Sequence, residues 1–238
     1  LTHTIVYTYD NLYRLTEADY STGDNYGYGY DAVGNRLQQI INGDTTDYLY
    51  DDANRLEQLN GQAVYAFDAN GNLLSSDTMT NTWDAANRLT GTERDGVEIL
   101  SDYNGVGDRV VRYRFEGPAS EAIPLALDVA AGLPEVVQAG TSRYLHLPGV
   151  IVAQNDTTTR FLLSDGLGSI RQATDETGQV VSYHAFDPYG NPLAGGGDPY
   201  GFTGEWWEQD LGLLHLRSRW YASAPLSLGA RWGVWYNL

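Results

Sequence analysis

Tyr30-Asp31-Ala32-Val33-Gly34-Asn35-Arg36-Leu37 is the stretch that decides the fold, because it recurs. Tyr9-Asp10 leads to Arg14-Leu15, Tyr50-Asp51 to Asn54-Arg55-Leu56, and Phe67-Asp68 to Gly71-Asn72-Leu73. Trp83-Asp84 leads to Asn87-Arg88-Leu89, and Tyr103-Asn104 to Gly107-Asp108-Arg109-Val110. The aromatic positions 9, 30, 50, 67, 83 and 103 are 16 to 21 residues apart. Self-similarity at such a period is the signature of a repeat architecture.

Each unit reads as a β-hairpin. An aromatic residue ends one strand, an apolar residue opens the next, and a polar turn joins them. Asp31 can bond the backbone two residues on, Gly34 can take a positive φ, and Asn35 tolerates the left-handed region. Arg36 is expected within reach of the turn carboxylate. Units with a Gly, led by Tyr30, Phe67 and Tyr103, alternate with units without one, led by Tyr9, Tyr50 and Trp83, and the loop is expected to come in two lengths. The alternation predicts that the two loop lengths occupy the two edges of one winding sheet.

Composition supports strands and turns: 18 Tyr and 27 Gly stand against a single Met. With 31 acidic and 14 basic residues the net charge is −17, so nucleic acid and acidic membrane surfaces are poor partners. There is no cysteine, which removes disulfides, thiolate metal sites and thiol catalysis. No apolar run is long enough for a membrane-spanning helix. Residues 1–20 do not read as a signal peptide, and a chain opening on Leu1 is expected to be an excerpt or a processed product.

Taken in order, residues 1–115 are the hairpin repeats. Residues 116–142 break the rhythm; Pro124 argues against a long helix, and an irregular connector or plug is expected. Residues 143–221 resume strands. Within them Trp206, Trp207, Trp220 and Tyr221, with four Leu between, predict a cap closing a sheet edge. The aromatic tail 222–238, with Trp232 and Trp235, is expected to pack on the body or on a partner.

The pattern resembles the YD repeat of the RHS family, found in bacterial RHS proteins, insecticidal toxin complexes and animal teneurins. The segments Leu127–Pro134, Arg143–His146, Asp165–Arg171, Phe186–Pro192 and Phe202–Glu205, then Arg217–Tyr221, resemble the RHS-associated core. The likeness covers about residues 5 to 221. It implies an all-β fold with little helix, its hairpins wound side by side into a spiral sheet, part of a shell or barrel. The repeat positions Tyr9, Asp10, Tyr30, Asp31, Gly34, Arg36, Tyr50, Asp51, Arg55, Phe67, Asp68, Trp83, Asp84 and Arg88 are then structural, as are Asp165, Gly168, Arg171, Asp187 and Gly190. The resemblance further implies a structural module, the C-terminal part of a shell that encloses or displays a cargo such as a polymorphic toxin. Its partners are then the rest of a larger polypeptide or other copies, and its place is outside a bacterium or on its surface. About 24 strands at about 4.8 Å each give a contour near 115 Å. A wall around a 100-residue cargo needs a circumference of roughly 140 Å, so the chain goes round about once.

RHS cores commonly cleave themselves near a C-terminal Asp-Pro using paired aspartates. Here Arg219-Trp220-Tyr221 continues as Ala222-Ser223-Ala224-Pro225, and no acid follows Asp210. A carboxylate pair that shares a proton is therefore missing, and no enzyme is expected. Asp187-Pro188 sits at an ordinary repeat position, where Asp187 caps a turn. Asp68, Asn70 and Asn72 lack the closing Glu of a calcium loop, and the four His show no ligand spacing, so neither metal nor cofactor is expected. Arg112 and Arg114 share one strand face, with Arg109 on the other. Other readings are a surface-glycan module using Trp206, Trp207 and Trp220, a self-assembling ring or filament, and, last, an aspartate autoprotease.

Overall fold

The computed structural model describes residues 4–63, 65–130, 132–223 and the backbone of 234–235. These fall into two compact units, Leu1–Ala66 and Phe67–Leu238. The first is a seven-stranded antiparallel meander: β1 (Ile5–Tyr9), β2 (Leu15–Tyr20), β3 (Asn25–Tyr30), β4 (Arg36–Ile41), β5 (Asp44–Tyr50), β6 (Leu56–Leu59) and β7 (Gln62–Ala63). The second begins with a 14-stranded meander. It runs through β8 (Ala66–Phe67), whose first residue lies at the unit boundary, β9 (Leu73–Ser75), β10 (Met79–Trp83), β11 (Leu89–Arg94), β12 (Val97–Tyr103), β13 (Arg109–Glu116) and β14 (Ala119–Asp128). It continues with β15 (Glu135–Ala139), β16 (Ser142–Leu147), β17 (Val150–Gln154), β18 (Thr159–Ser164), β19 (Ile170–Thr174), β20 (Val180–Phe186) and β21 (Pro192–Gly195). A four-stranded sheet follows: β22 (Trp206–Glu208), β23 (Leu213–Leu216), β24 (Arg219–Ala222) and β25 (Val234–Trp235). A single 3-10 turn, Phe202–Gly204, is the only helical piece among the described residues. The fold is all-β, as the repeats predict.

One turn explains the repeat. At nine Asp or Asn residues the N–H donates to the carbonyl four residues on, and the residue's own carbonyl accepts from the N–H three residues on. The leading residues are Asp10, Asp31, Asp51, Asp68, Asp84, Asn104, Asp165, Asp175 and Asp187. In each, the side-chain Oδ1 also accepts backbone N–H groups two and four residues on, as at Asp84 from Ala86 and Arg88, both 2.9 Å. The fourth residue is left-handed: Gly34 at φ 103°, or Tyr13, Asn54 and Asn87 near 60°. At Asp10 the backbone N–H of Arg14 is the largest influence on the carboxyl and, with the other turn bonds, holds it below the ordinary Asp range. Asp84→Ala should therefore cost about 1–2 kcal/mol of unfolding free energy, read by urea titration; a loss under about 0.3 kcal/mol would show the carboxylate to be idle.

A bulge follows the turn. Tyr50 pairs with Leu56 but Leu49 with Gln58, and the same shift recurs at Tyr9, Tyr30, Trp83, Tyr103, Ser164, Thr174 and Phe186. The extra residue resets the strand's alternation. As a result, the residue five places after the Asp faces the core at Leu56, Leu73, Leu89 and Ile170, which are buried, whereas Val180 and Pro192, at the same place after Asp175 and Asp187, stay exposed.

The same geometry corrects two expectations. Arg36 occupies that inward position and is 6% exposed, so it does not reach its turn carboxylate. It lies over the Tyr48 ring at 4.7 Å and donates to the Tyr48 hydroxyl at 3.2 Å. Asn35, not itself left-handed, takes the carboxylate at 2.9 Å, whereas Arg14, Arg55 and Arg88, one place nearer, pair with theirs.

The two loop types also share one rim. Turns of a meander alternate between edges, and the Asp10, Asp31 and Asp51 turns are separated by two strands each. Their alternation serves neighbour-to-neighbour bonding instead. The loops with and without Gly have one length, each closing four residues on; Arg14 of a loop without Gly donates to the Asp31 carbonyl at 2.7 Å, and Asn35 of a Gly loop donates to Asn54 Oδ1 at 2.8 Å. Phe67–Leu238 repeats the scheme, with Asn72 to Asn87 Oδ1 at 2.9 Å and Arg88 to the Asn104 carbonyl at 3.4 Å.

Residues 116–142 are not an irregular plug. They carry β14, the longest strand, and β15. Pro124 is tolerated because it is the last β14 residue paired with β13; from Leu125 the strand pairs with β15 instead. The core of Phe67–Leu238 lies over β15 to β19, where Val136, Tyr144, Ile151, Leu162 and Ile170 pack with Tyr200.

Candidate functional site: a cap locked by arginine

Residues 198–223 fold back over the sheet of their own unit. Three arginines of β13 meet them. Alternation by two would put Arg109 opposite Arg112 and Arg114, but the β13 bulge, where Tyr103 pairs with Arg109 and Asp102 with Val111, turns Arg109 inward. The expectation for Arg109 is thereby corrected.

Glu208 of β22 is 2% exposed and sits between two of these arginines. Arg109 Nη2 lies 2.8 Å from Oε1 and Arg112 Nε 2.7 Å from Oε2, while Trp206 Nε1 donates to Oε1 at 3.1 Å. Burial works to raise the Glu208 carboxyl, but the charges of Arg109 and then Arg112 outweigh it and bring it down to about 2. Arg112 also binds Asp210, whose other oxygen lies 3.1 Å from Arg114 Nε. The Arg109 guanidinium stacks on Trp220 at 5.1 Å, and Trp220 lies 4.6 Å from the His215 ring.

Asp198 makes a second lock. It accepts from Ser182 Oγ at 2.7 Å, and its carboxylate meets His184 Nε2 at 3.0 Å and Arg160 Nη1 at 2.7 Å. Burial pushes against the charge, yet the bonds from His184 and Ser182, then Arg160, hold the carboxyl below its usual range. Ser182 and His184 both bond the carboxylate itself, so no serine–histidine relay forms. Smaller ties are Tyr221 Oη to the Tyr189 carbonyl at 2.6 Å and Thr203 N to Ser169 Oγ at 2.9 Å.

Asp187 Oδ1 accepts from Tyr189 N and Asn191 N, both 2.9 Å, the arrangement of every other repeat turn. Asp165 pairs with Arg171 at 2.7 Å. The Asp68 carboxylate is occupied by the Asn70 and Asn72 N–H groups and by Asn72 Nδ2. Among the described residues no cluster of His, Asp or Glu gathers to hold a metal, and no helix is long and apolar enough to cross a membrane. Of the three Trp proposed for surface stacking, Trp206 and Trp207 are half-buried. Trp220 is 3% exposed with Arg109 and His215 on its ring, which corrects the expectation for that residue. Of the 222–238 tail, Ala222 and Ser223 are buried and the backbone of β25 pairs with β24, while the packing expected of Trp232 and Trp235 lies outside the described residues.

The lock acids escaped the sequence reading, although two acids two residues apart inside an aromatic run, Trp206-Trp207-Glu208-Gln209-Asp210, were a signal. Asp175-Glu176-Thr177-Gly178 was missed as a repeat turn because Thr174, not an aromatic, precedes it.

Fold and lock together define a YD-type hairpin-repeat module whose second unit ends in a small aromatic sheet bound down by buried ion pairs. The chain belongs to the teneurin YD-shell family, which matches residues 2–124. It is 24% identical over 234 residues to the tRNA nuclease WapA of Bacillus subtilis strain 168, covering 90% of this chain and 10% of that protein. The tRNA3(Ser)-specific nuclease WapA of Bacillus spizizenii is 22% identical over 235 residues, with the same shares. The chain thus spans 10% of the length of these relatives. Among solved structures, TcdB2–TccC3 is similar at a TM-score of 0.49 and 15% identity, over 92% of this chain and 17% of that one. The Photorhabdus luminescens Tc holotoxin pore is similar at 0.49 and 15%, over 97% and 17%.

Proposed function

We propose that this chain is a non-catalytic segment of a secreted or cell-surface shell wall, and that the whole protein uses that wall to enclose a toxic cargo. The observation that carries this is the turn-to-turn bonding along one rim. It ties neighbouring hairpins of the repeats to one another, as a wall requires. Ladder hydrogen bonds and cross-strand aromatic pairs add roughly 0.2–1 kcal/mol per pair. The WapA relatives are named as tRNA nucleases; a chain with a net charge of −17 is a poor surface for RNA, so this chain is not expected to carry that activity. Partners are then the remaining wall and the cargo.

Electron microscopy of the full-length protein should show these residues as part of a continuous β-wall around an interior, and the purified chain should leave tRNA intact. Density placing the segment outside a wall, or tRNA cleavage by the chain alone, would refute the reading.

A further inference from the structure

A cavity of about 180 Å³ opens between the β12–β13 turn, β15 and the cap. Nothing in the wall reading uses it. Tyr200, Trp206 and His146 give it aromatic walls. Tyr200 stands edge to face with Trp206 at 5.4 Å between ring centroids and with His146 at 5.2 Å. The Tyr200 hydroxyl is fixed on the Val136 carbonyl at 2.7 Å, and Trp206 Nε1 on Glu208 at 3.1 Å. The rings are held in place by the protein itself.

The charge around these rings is negative. Asp108, Glu135 and Glu205 line the cavity together with Arg217, and Arg217 is spent on Glu205 at 2.5 Å and on the Pro134 carbonyl at 3.1 Å. Arg109 borders the cavity too, but its guanidinium nitrogens are shut away from solvent and its charge is met by Glu208. Asp108 accepts only from the neutral Asn104 amide, at 3.0 Å, and among the described residues no arginine pairs with it or with Glu135. Tyr200 registers the field: burial first, then Tyr144, Glu135 and Glu205, push its hydroxyl above the ordinary range. One contact also lacks a donor. His146 Nε2 lies 3.2 Å from the Val136 carbonyl, which can only accept, so in the neutral ring Nε2 carries the hydrogen and Nδ1 is an acceptor. Glu135 Oε2 faces that Nδ1 at 3.6 Å, beyond hydrogen-bond reach.

Charge selects the class of occupant. An anion meets two carboxylates that no arginine offsets, whereas a cation gains from the acids and from the aromatic faces at once. An ammonium brings three N–H donors, enough to answer Glu135, His146 Nδ1 and Asp108, and its apolar stem suits the rings. Size selects further: an engineered cavity of about 150 Å³ holds one benzene ring, so the cavity takes a group of side-chain size. We propose that it receives an alkylammonium group, either the lysine side chain of a partner peptide or a free amine. All 14 basic residues of this chain are arginine, so none of its own side chains supplies an ammonium. The site does not depend on the wall reading, and either can fail without the other.

The test is an NMR titration of the whole chain at about pH 8, where an ordinary imidazole is neutral. N-acetyl-lysine methylamide and n-butylammonium are the probes, and at least one should bind saturably at millimolar concentration. N-acetyl-norleucine methylamide, which keeps the stem and lacks the charge, should bind at least about tenfold more weakly. Tighter binding of the lysine compound assigns the site to a peptide, and tighter binding of butylammonium to a free amine; either supports the class. Glu135→Gln should weaken the binding at least about fivefold. Val106→Trp, at a lining residue 85% exposed on the β12–β13 turn, should block it by a similar factor. Circular dichroism and the melting temperature should stay unchanged in both variants. Binding of neither probe, equal binding of the norleucine compound, or binding that survives in either variant overturns the proposal.

Discussion

Glu208→Gln is expected to lower the unfolding free energy of Phe67–Leu238 by about 3–5 kcal/mol. The substitution keeps the shape of the side chain and an oxygen for Trp206 Nε1, but it removes the one carboxylate paired with Arg109 among the described residues. Arg112 retains Asp210. Arg109, 2% exposed, is left with the Trp220 face, and a cation–π contact of up to about 2 kcal/mol does not replace a desolvated ion pair. Asp210→Asn should cost far less, about 1 kcal/mol, because Arg114 and Asp210 are both partly solvated. The measurement is urea unfolding followed by Trp fluorescence, which reports Trp206, Trp207 and Trp220 at the lock. The double change Arg109→Leu with Glu208→Leu should recover much of the loss, since the penalty arises from the unpaired charge and not from the missing contact. A loss below about 1 kcal/mol in Glu208→Gln would show that the lock is not what holds the cap.

Why the repeats were legible and the lock was not follows from range. An Asp turn is closed within five residues by its own backbone and side chain, so Tyr30–Leu37 contains its whole explanation apart from one feature. That feature is the bulge, which arises from pairing across the hairpin and decides which face the next residue takes. Missing it put Arg36 beside its own turn and Arg109 on the wrong face. Pro124 misled in the same way: its cost depends on which neighbour the strand is pairing with at that residue, and β14 changes partner there. The lock is more remote still. Arg112 and Glu208 are 96 residues apart, and nothing local distinguishes an arginine that will face solvent from one that will face a buried acid. Asp198 shows the limit: it follows three glycines, and nothing near it in sequence marks Ser182, His184 and Arg160, which hold it.

Acidification should loosen the cap before it loosens the repeats, and His215→Phe should remove most of that effect. The His215 imidazole titrates at about 3 in the folded chain against an ordinary value of 6.5, chiefly because it is buried and then because Arg109 is close. Glu208 and Arg217 are the other charged groups acting on it. Between those two pH values the unfolded chain holds a proton that the folded one refuses, so protons favour unfolding. Stability from this group is complete above pH 6.5 and is withdrawn as the pH falls toward 3. A span of 2 units, from 6.5 to 4.5, corresponds to on the order of 3 kcal/mol. Glu208 acts in a lower window, since its folded value is about 2 against 4.5 unfolded; its contribution is intact above 4.5 and is lost only below. The interval between pH 6.5 and 4.5 therefore isolates the imidazole from the lock. Phe preserves the ring against Trp220 and has no proton to take up, so urea midpoints at pH 7, 5.5 and 4.5 should fall steeply in the parent and remain nearly level in His215→Phe. The difference between the two slopes removes whatever the rest of the chain contributes to both proteins. Parallel slopes would mean that the buried imidazole is not what couples the cap to protons, and that its neighbours carry the pH dependence instead.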